Sequence, residues 1–236
     1  MCLYISITSI GTEIESRFNK KFVPEDLSLF NGIYFTSAFN KPKVPVITSV
    51  DDNIRLFEWG LIPFWAKDIK VANDIQSKTY NAKSETIFEK PSYKASIINR
   101  RCLIIADGFF EWKEVKGKKY PFYIKLKDQK IFPIAGIWDI WQGKHTFSII
   151  TTKANPLMAE IHNVKKRMPV ILKKEDEAKW LSDISPDEIE SFFSGYDDKS
   201  MEAYSVSKLL TARGTKNNDP KVIEPFEYEE LKKHAR

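Results

Sequence analysis

Apolar positions along the chain come in short runs separated by polar or glycine-containing breaks, and most of the runs have strand character. Residues 3–8 (LYISIT) read as a strand. Residues 12–22 place Ile14 and Phe18 four apart and predict a short helix. KVPVITSV and IRLFEWGL predict two strands around a turn at Asp51-Asp52-Asn53. Residues 70–100 are polar and read as loop or helix. The middle of the chain is richest in β-branched and aromatic residues. There RCLIIADGFFEW, YPFYIKLK, IFPIAGIWDIW and HTFSIITT predict four strands. Lys116-Gly117-Lys118, Lys127-Asp128-Gln129 and Gln142-Gly143-Lys144 are the hairpin turns expected between them. Helix signals follow. Asn155 and Pro156 open a helix over 155–162, and KKEDEAKWL predicts a second. Ser185, Pro186 and early acidic residues open a third, with Gly195 as its stop.

Strands interspersed with helices, without a βαβ rhythm, predict an α+β fold. The expected architecture is a single domain with a mixed or antiparallel β-barrel-like core and flanking helices. A chain of 236 residues suffices for one buried core. We place the domain at 1–225 and a C-terminal tail at 226–236. Hydrophobic content of 42% excludes a disordered chain. No apolar run approaches the roughly 18 residues needed to span a bilayer, and the start lacks a basic segment leading into one. The expectation is a soluble, cytoplasmic protein without membrane contact. A net charge of +5 permits an acidic partner such as nucleic acid. The two cysteines and the histidines at 145, 162 and 234 show no zinc-type spacing, so neither metal nor cofactor is expected. Cys102, inside an apolar run, reads as a buried structural thiol, and Trp59, Trp138 and Trp141 read as core.

Cys2 changes this picture. If Met1 is removed, Cys2 carries an α-amine and a thiol two bonds apart. Such a 1,2-aminothiol condenses with an aldehyde to a Schiff base, and the thiol then closes a five-membered thiazolidine. The same thiol could instead attack an acyl carbon. Amine (ordinary pKa about 7.7–8.0) and thiol (about 8.5) are both partly nucleophilic near neutrality.

Four further stretches carry chemistry: WGLIPFWAKD (59–68), NAKSETI (81–87), RCLIIADGFFEWKE (101–114) and IHNVKKRMPVIL (161–172). With Met1-Cys2 they resemble the SOS-response-associated peptidase (SRAP) family from residue 2 to about 172, with a weaker similarity at 206–225. The resemblance implies a protein that bonds covalently, through Cys2, to abasic sites in single-stranded DNA. The ring-opened sugar is an aldehyde, and the product is a thiazolidine cross-link that shields the lesion. The resemblance matches Glu111 to the family's catalytic glutamate, His162 to its histidine and Asn81 to its asparagine. They would move protons at the amine and sugar and fix the attack geometry. Lys83 stands where the family more often has arginine. Arg100, Arg101, Lys165, Lys166 and Arg167 would track phosphates, Trp65 and Trp112 would support or wedge between bases, and Thr151 would touch the backbone near the lesion.

Two departures stand out. The family commonly reads Met-Cys-Gly-Arg, whereas this chain reads Met1-Cys2-Leu3-Tyr4. The family also has one residue between its histidine and Arg-Met-Pro, whereas here Asn163 to Lys166 intervene. The expected partner is abasic single-stranded DNA, engaged by a monomer. A cysteine hydrolase using Cys2, His162 and Glu111, and a non-catalytic nucleic-acid-binding barrel, remain as alternatives.

Overall fold

The computed structural model describes residues 2–211 and 218–232. Met1, whose removal the Cys2 chemistry requires, lies outside the described residues. So do residues 212–217 of the weaker C-terminal similarity, and residues 233–236 of the expected tail with His234.

In chain order the strands are β1 (Tyr4–Ile7), β2 (Lys21–Phe22), β3 (Ile33–Ser37), β4 (Lys43–Thr48), β5 (Asn53–Trp59), β6 (Asn81–Lys83) and β7 (Arg101–Ala106). They continue with β8 (Gly108–Val115), β9 (Lys118–Leu126), β10 (Phe132–Trp141), β11 (Lys144–Lys153), β12 (Arg167–Pro169) and β13 (Met201–Ser205). Strands β11, β10, β7, β4 and β5 pair antiparallel in that order. Then β5 returns to β11 through the parallel pairs Glu58–Thr146 and Trp59–Phe147, which closes a five-stranded ring. The α+β class and the barrel-like core are as expected, with helices flanking the ring. A second, antiparallel sheet runs β13-β9-β8-β1-β3.

The ring wraps the core. β10 is buried at every position except Ile140, the signature of a strand covered on both faces. Trp59, Trp138, Trp141 and Cys102 are buried as read from sequence. Trp180, not singled out there, is fully buried too, and its indole N–H donates to the Cys102 carbonyl at 3.0 Å.

Local rules explain most elements. In the turns Lys116-Gly117 and Gln142-Gly143 both residues have positive φ (50° and 75°, 48° and 80°), the geometry that two-residue hairpins favour. Asn155 caps the helix Pro156–Ile161 by accepting from the Met158 N–H at 2.8 Å. Ser185 and Glu188 form a capping box on Pro186–Ser191.

Several expectations need correction. The first helix spans only Gly11–Phe18, because Asn19 takes a left-handed conformation and Phe22 is drawn into the core as part of β2. The third expected helix stops at Ser191, before Gly195. The run 101–112 is two strands in different sheets, broken at Asp107. The buried Asp107 carboxylate accepts from the Ser6 hydroxyl (2.7 Å), from the Thr8 hydroxyl (2.8 Å) and N–H, and from the Ser9 N–H (2.9 Å), which pins the end of β1 to this corner. Lys127-Asp128-Gln129 is a crossing between sheets and not a hairpin, since β9 pairs with β8 and β13 while β10 pairs with β7 and β11.

The polar C-terminal segment lies along both ends of the second sheet. Asn218 accepts from the Tyr34 N–H (2.7 Å) and donates to the Gly32 carbonyl (2.9 Å), covering β3. Phe226 donates its N–H to Ser205 (2.8 Å), covering β13. Among the described residues no helix is long and apolar enough to cross a membrane.

Candidate active site

The site forms where β1 lies on β8. Ile5 faces Phe109 and Ser6 faces Gly108, so each step toward the start of the chain moves one residue along β8. Carried on, that register sets Leu3 across from Glu111 and Cys2 across from Trp112, with Cys2 close enough to Glu111 to feel its charge. Cys2 is fully buried, and its Sγ lies 3.9 Å from the Tyr4 carbonyl. Burial pushes the thiol well above its ordinary range, and the neighbouring Glu111 carboxylate adds to the effect.

A cleft of about 360 Å³ opens beside this pair. Leu3, Tyr4, Glu111, Trp112, His162 and Lys165 line it, with Val164 and the hairpin residues Glu114 and Lys119. Glu111 is buried; that burial pushes its carboxyl up to about 8, with the Lys165 ammonium pulling the other way. Glu111 is therefore mostly protonated at neutral pH. His162 ends the helix Pro156–Ile161, and its Nδ1 lies 2.9 Å from the Arg167 carbonyl and 3.5 Å from Glu111. A carbonyl only accepts, so Nδ1 carries the proton and Nε2 keeps its lone pair. Burial lowers the imidazole to about 4, so the contact with Glu111 is not an ion pair near neutrality. Tyr4 packs on Trp112 (ring centroids 4.7 Å apart) and stacks on Phe35 (5.3 Å), which stiffens the wall beside Glu111.

A second group adjoins through β11. Asn81 and Lys83 on β6 sit beside Ile149 and Thr151 of β11. Both polar atoms of the Asn81 amide are buried, with no hydrogen-bond partner among the described residues. Such a group costs stability unless something arrives to pair with it. Thr151 is fully buried, and its hydroxyl accepts from the Arg167 guanidinium at 3.2 Å, so it offers no exposed contact of its own. Arg167 also pairs with Glu85, a partner the sequence did not suggest. Its carbonyl holds His162 while its guanidinium holds Thr151, so this one residue links the two groups.

The basic surface is smaller than expected. Arg101 is buried and donates to the carbonyls of Ile97, Ile98, Trp180 and Ser182, so it corrects the reading of a phosphate contact. Arg100 pairs with the buried Asp139 at 3.3 Å and lies over the Phe64 ring. Lys83, Lys165 and Lys166 remain exposed. Trp65 is 42% exposed, on a loop fixed by the Trp141 indole N–H to the Ala66 carbonyl (2.7 Å); it does not line the cleft. Among the described residues, no group of three or more His, Cys, Asp or Glu side chains could hold a metal ion.

A model of the family described as SOS response associated peptidase (SRAP) matches residues 1–212. The chain belongs to the SRAP family. The abasic site processing protein YoqW of Bacillus subtilis is 41% identical over 95% of this chain and 99% of its own length. YoaM of the same organism, also called an abasic site processing protein, is 38% identical over 95% of this chain and 98% of its own. A crystal structure of a protein from Bacteroides thetaiotaomicron superposes with a TM-score of 0.90 at 38% identity, covering 96% of this chain and 100% of that one. Within this SRAP chain the intervening residues after His162 do not separate it from Arg167. A turn closed by the Lys166 N–H to the His162 carbonyl (2.7 Å) absorbs them, with Lys166 at a φ of 50°.

Proposed function

We propose that this chain processes abasic sites in single-stranded DNA by bonding the ring-opened sugar to Cys2. The observation that carries the reading is the placement of Cys2 near the buried Glu111 carboxyl, with the His162 ring 3.5 Å from that carboxyl. YoqW and YoaM, named for abasic-site processing, support the lesion as substrate. Loss of Met1 frees the Cys2 amine. That amine attacks the aldehyde carbon and forms a carbinolamine. Glu111 supplies the proton with which hydroxide leaves as water, giving the Schiff base. The thiol then adds across C=N: sulfur bonds to carbon and its proton reaches nitrogen by way of His162 Nε2. The Asn81 amide has donors and an acceptor to offer the sugar, and Lys83, Lys165 and Lys166 have charge for the phosphates. A cysteine hydrolase fits less well, because the surroundings of the thiol disfavour the thiolate such chemistry needs.

The test is a denaturing gel with an abasic single-stranded oligonucleotide. A band that survives heat and SDS is expected. It should vanish in Cys2→Ala and when an extra residue is left ahead of Cys2. A band that persists in either case overturns the proposal.

A further inference from the structure

The turn between His162 and Arg167 does more than span a gap. Asn163 uses both ends of its side-chain amide on one residue of β8: its Oδ1 accepts from the Glu114 N–H (3.0 Å) and its Nδ2 donates to the Glu114 carbonyl (2.8 Å). This is the pattern a neighbouring strand would make. It occupies β8 beyond the point reached by the four-residue β1. The turn is held at three further points: Lys166 N–H to His162 O (2.7 Å), Ala154 N–H to Lys166 O (3.0 Å), and the His162 ring to Arg167 O (2.9 Å). Val164 and Lys165, the next two residues, are exposed and form one wall of the cleft. A lysine side chain on an unsupported turn would spread its charge over many positions; this one starts from a backbone fixed on both sides.

We propose that Asn163 is a positioning residue that clamps the turn to β8 and so keeps the Lys165 ammonium in the same cleft as Glu111 and His162. This deepens the reading of that site and rests on it only for the DNA part of its test. Among the described residues, the charged and titratable groups that share the cleft with the Glu111 carboxyl or act on it are Cys2 and Tyr4 from the first strand, His162 and Lys165 from the helix end and turn, and Glu114 and Lys119 from the hairpin; the terminal amino group also favours the ionised carboxyl. Lys165 is the cation of the turn that lines this cleft, and its charge favours the ionised carboxyl. Losing either the charge or its placement makes the carboxyl hold its proton more tightly.

The experiment follows the Glu111 side-chain carboxyl by 13C NMR across pH 5–10 in the DNA-free full chain, assigned by its loss in Glu111→Gln. Lys165→Ala and Asn163→Ala should each raise proton affinity at Glu111 about three- to tenfold, and the double variant should go no further than either single one. An unmoved midpoint in Asn163→Ala, or effects of the two changes that simply add, overturns the proposal. If the alanine variant is poorly folded by circular dichroism, Asn163→Ser, which cannot span both Glu114 groups, replaces it with the same expected shift. A parallel measurement of abasic-DNA capture against pH should move in step. No capture by the wild-type chain would sink the DNA reading, while the NMR outcome would still decide the role of Asn163.

Discussion

Asp107 and Glu111 lie four residues apart on either side of the β8 start, and both are 5% exposed. Their surroundings are opposite. Asp107 is gripped by hydroxyls and N–H groups of Ser6, Thr8 and Ser9, and ties two sheets together. Glu111 shares its cleft with a neutral imidazole, an indole and a lysine, and is pushed up to about 8. Equal burial thus yields a fastener in one place and a proton reservoir in the other. Asp107 is held by hydroxyls and N–H groups of one strand end, whereas at Glu111 burial is the largest influence on the proton.

Breaking the fastener should have the largest effect. Asp107→Ala strands the buried donors of Ser6 and Ser9 and the half-buried ones of Thr8, and should cost about 4 kcal/mol in urea unfolding. A loss below about 1 kcal/mol would show that Asp107 is not what joins β1 to the corner.

Next comes Glu111→Gln. A carboxyl whose folded pKa is about 8 against an ordinary 4.5 binds more protons in the folded state between those values. Its contribution is complete below 4.5 and is lost as pH rises through 8. Glu111→Gln should therefore be neutral near pH 4 and stabilising by about 3 kcal/mol at pH 9, within a ceiling of about 5 kcal/mol set by the shift. Urea melts at the two pH values check this; equal effects at both would put the carboxyl in an ordinary environment.

His162 has the opposite slope. Its folded pKa of about 4 lies below the ordinary 6.5, so the unfolded chain binds more protons between them and stability rises with pH across that interval. Water in the cleft that His162 lines screens the effect to about 1–2 kcal/mol. His162→Gln should remove this opposing slope, so that in thermal melts the fall due to Glu111 begins near pH 4.5 instead of near 6.5. A fall that still begins near 6.5 would move the titration to another group. The smallest effect belongs to a site outside the comparison. Asn155→Ala removes a helix cap and should cost about 1 kcal/mol at any pH between 5 and 8. A pH-dependent loss would mean that the cap also governs His162, at the other end of its helix.

Much of this was legible in sequence where the cause is local. Lys116-Gly117 and Gln142-Gly143 announce hairpins because their turn demands positive φ. Asn155-Pro156 and Ser185 with Glu188 announce helix starts because the orphan N–H groups lie within three residues. The motifs around Cys2, Glu111 and His162 singled these residues out, and the fold brings Glu111 and His162 to one cleft with Cys2 buried beside it. The misses share a cause at long range. Asp107 hides inside an apolar run, and its donors come from a strand some hundred residues earlier. Arg101 looked like a surface cation because two of its carbonyl partners are about eighty residues away. Strands β3, β6, β12 and β13 have at most five residues each, and form only because a partner is already in place. Asn163 belongs with these, since nothing nearby suggests that its amide would pair with Glu114.

The placement of Asn218 against β3 and of Phe226 against β13 has a consequence for how copies of the chain meet. Those two strands are the outer borders of the second sheet, and bare borders recruit strands from other molecules. The last described stretch acts as a pair of bumpers. Shortened to residue 206, the protein would keep its cleft and gain two sticky rims, and its first symptom would be turbidity.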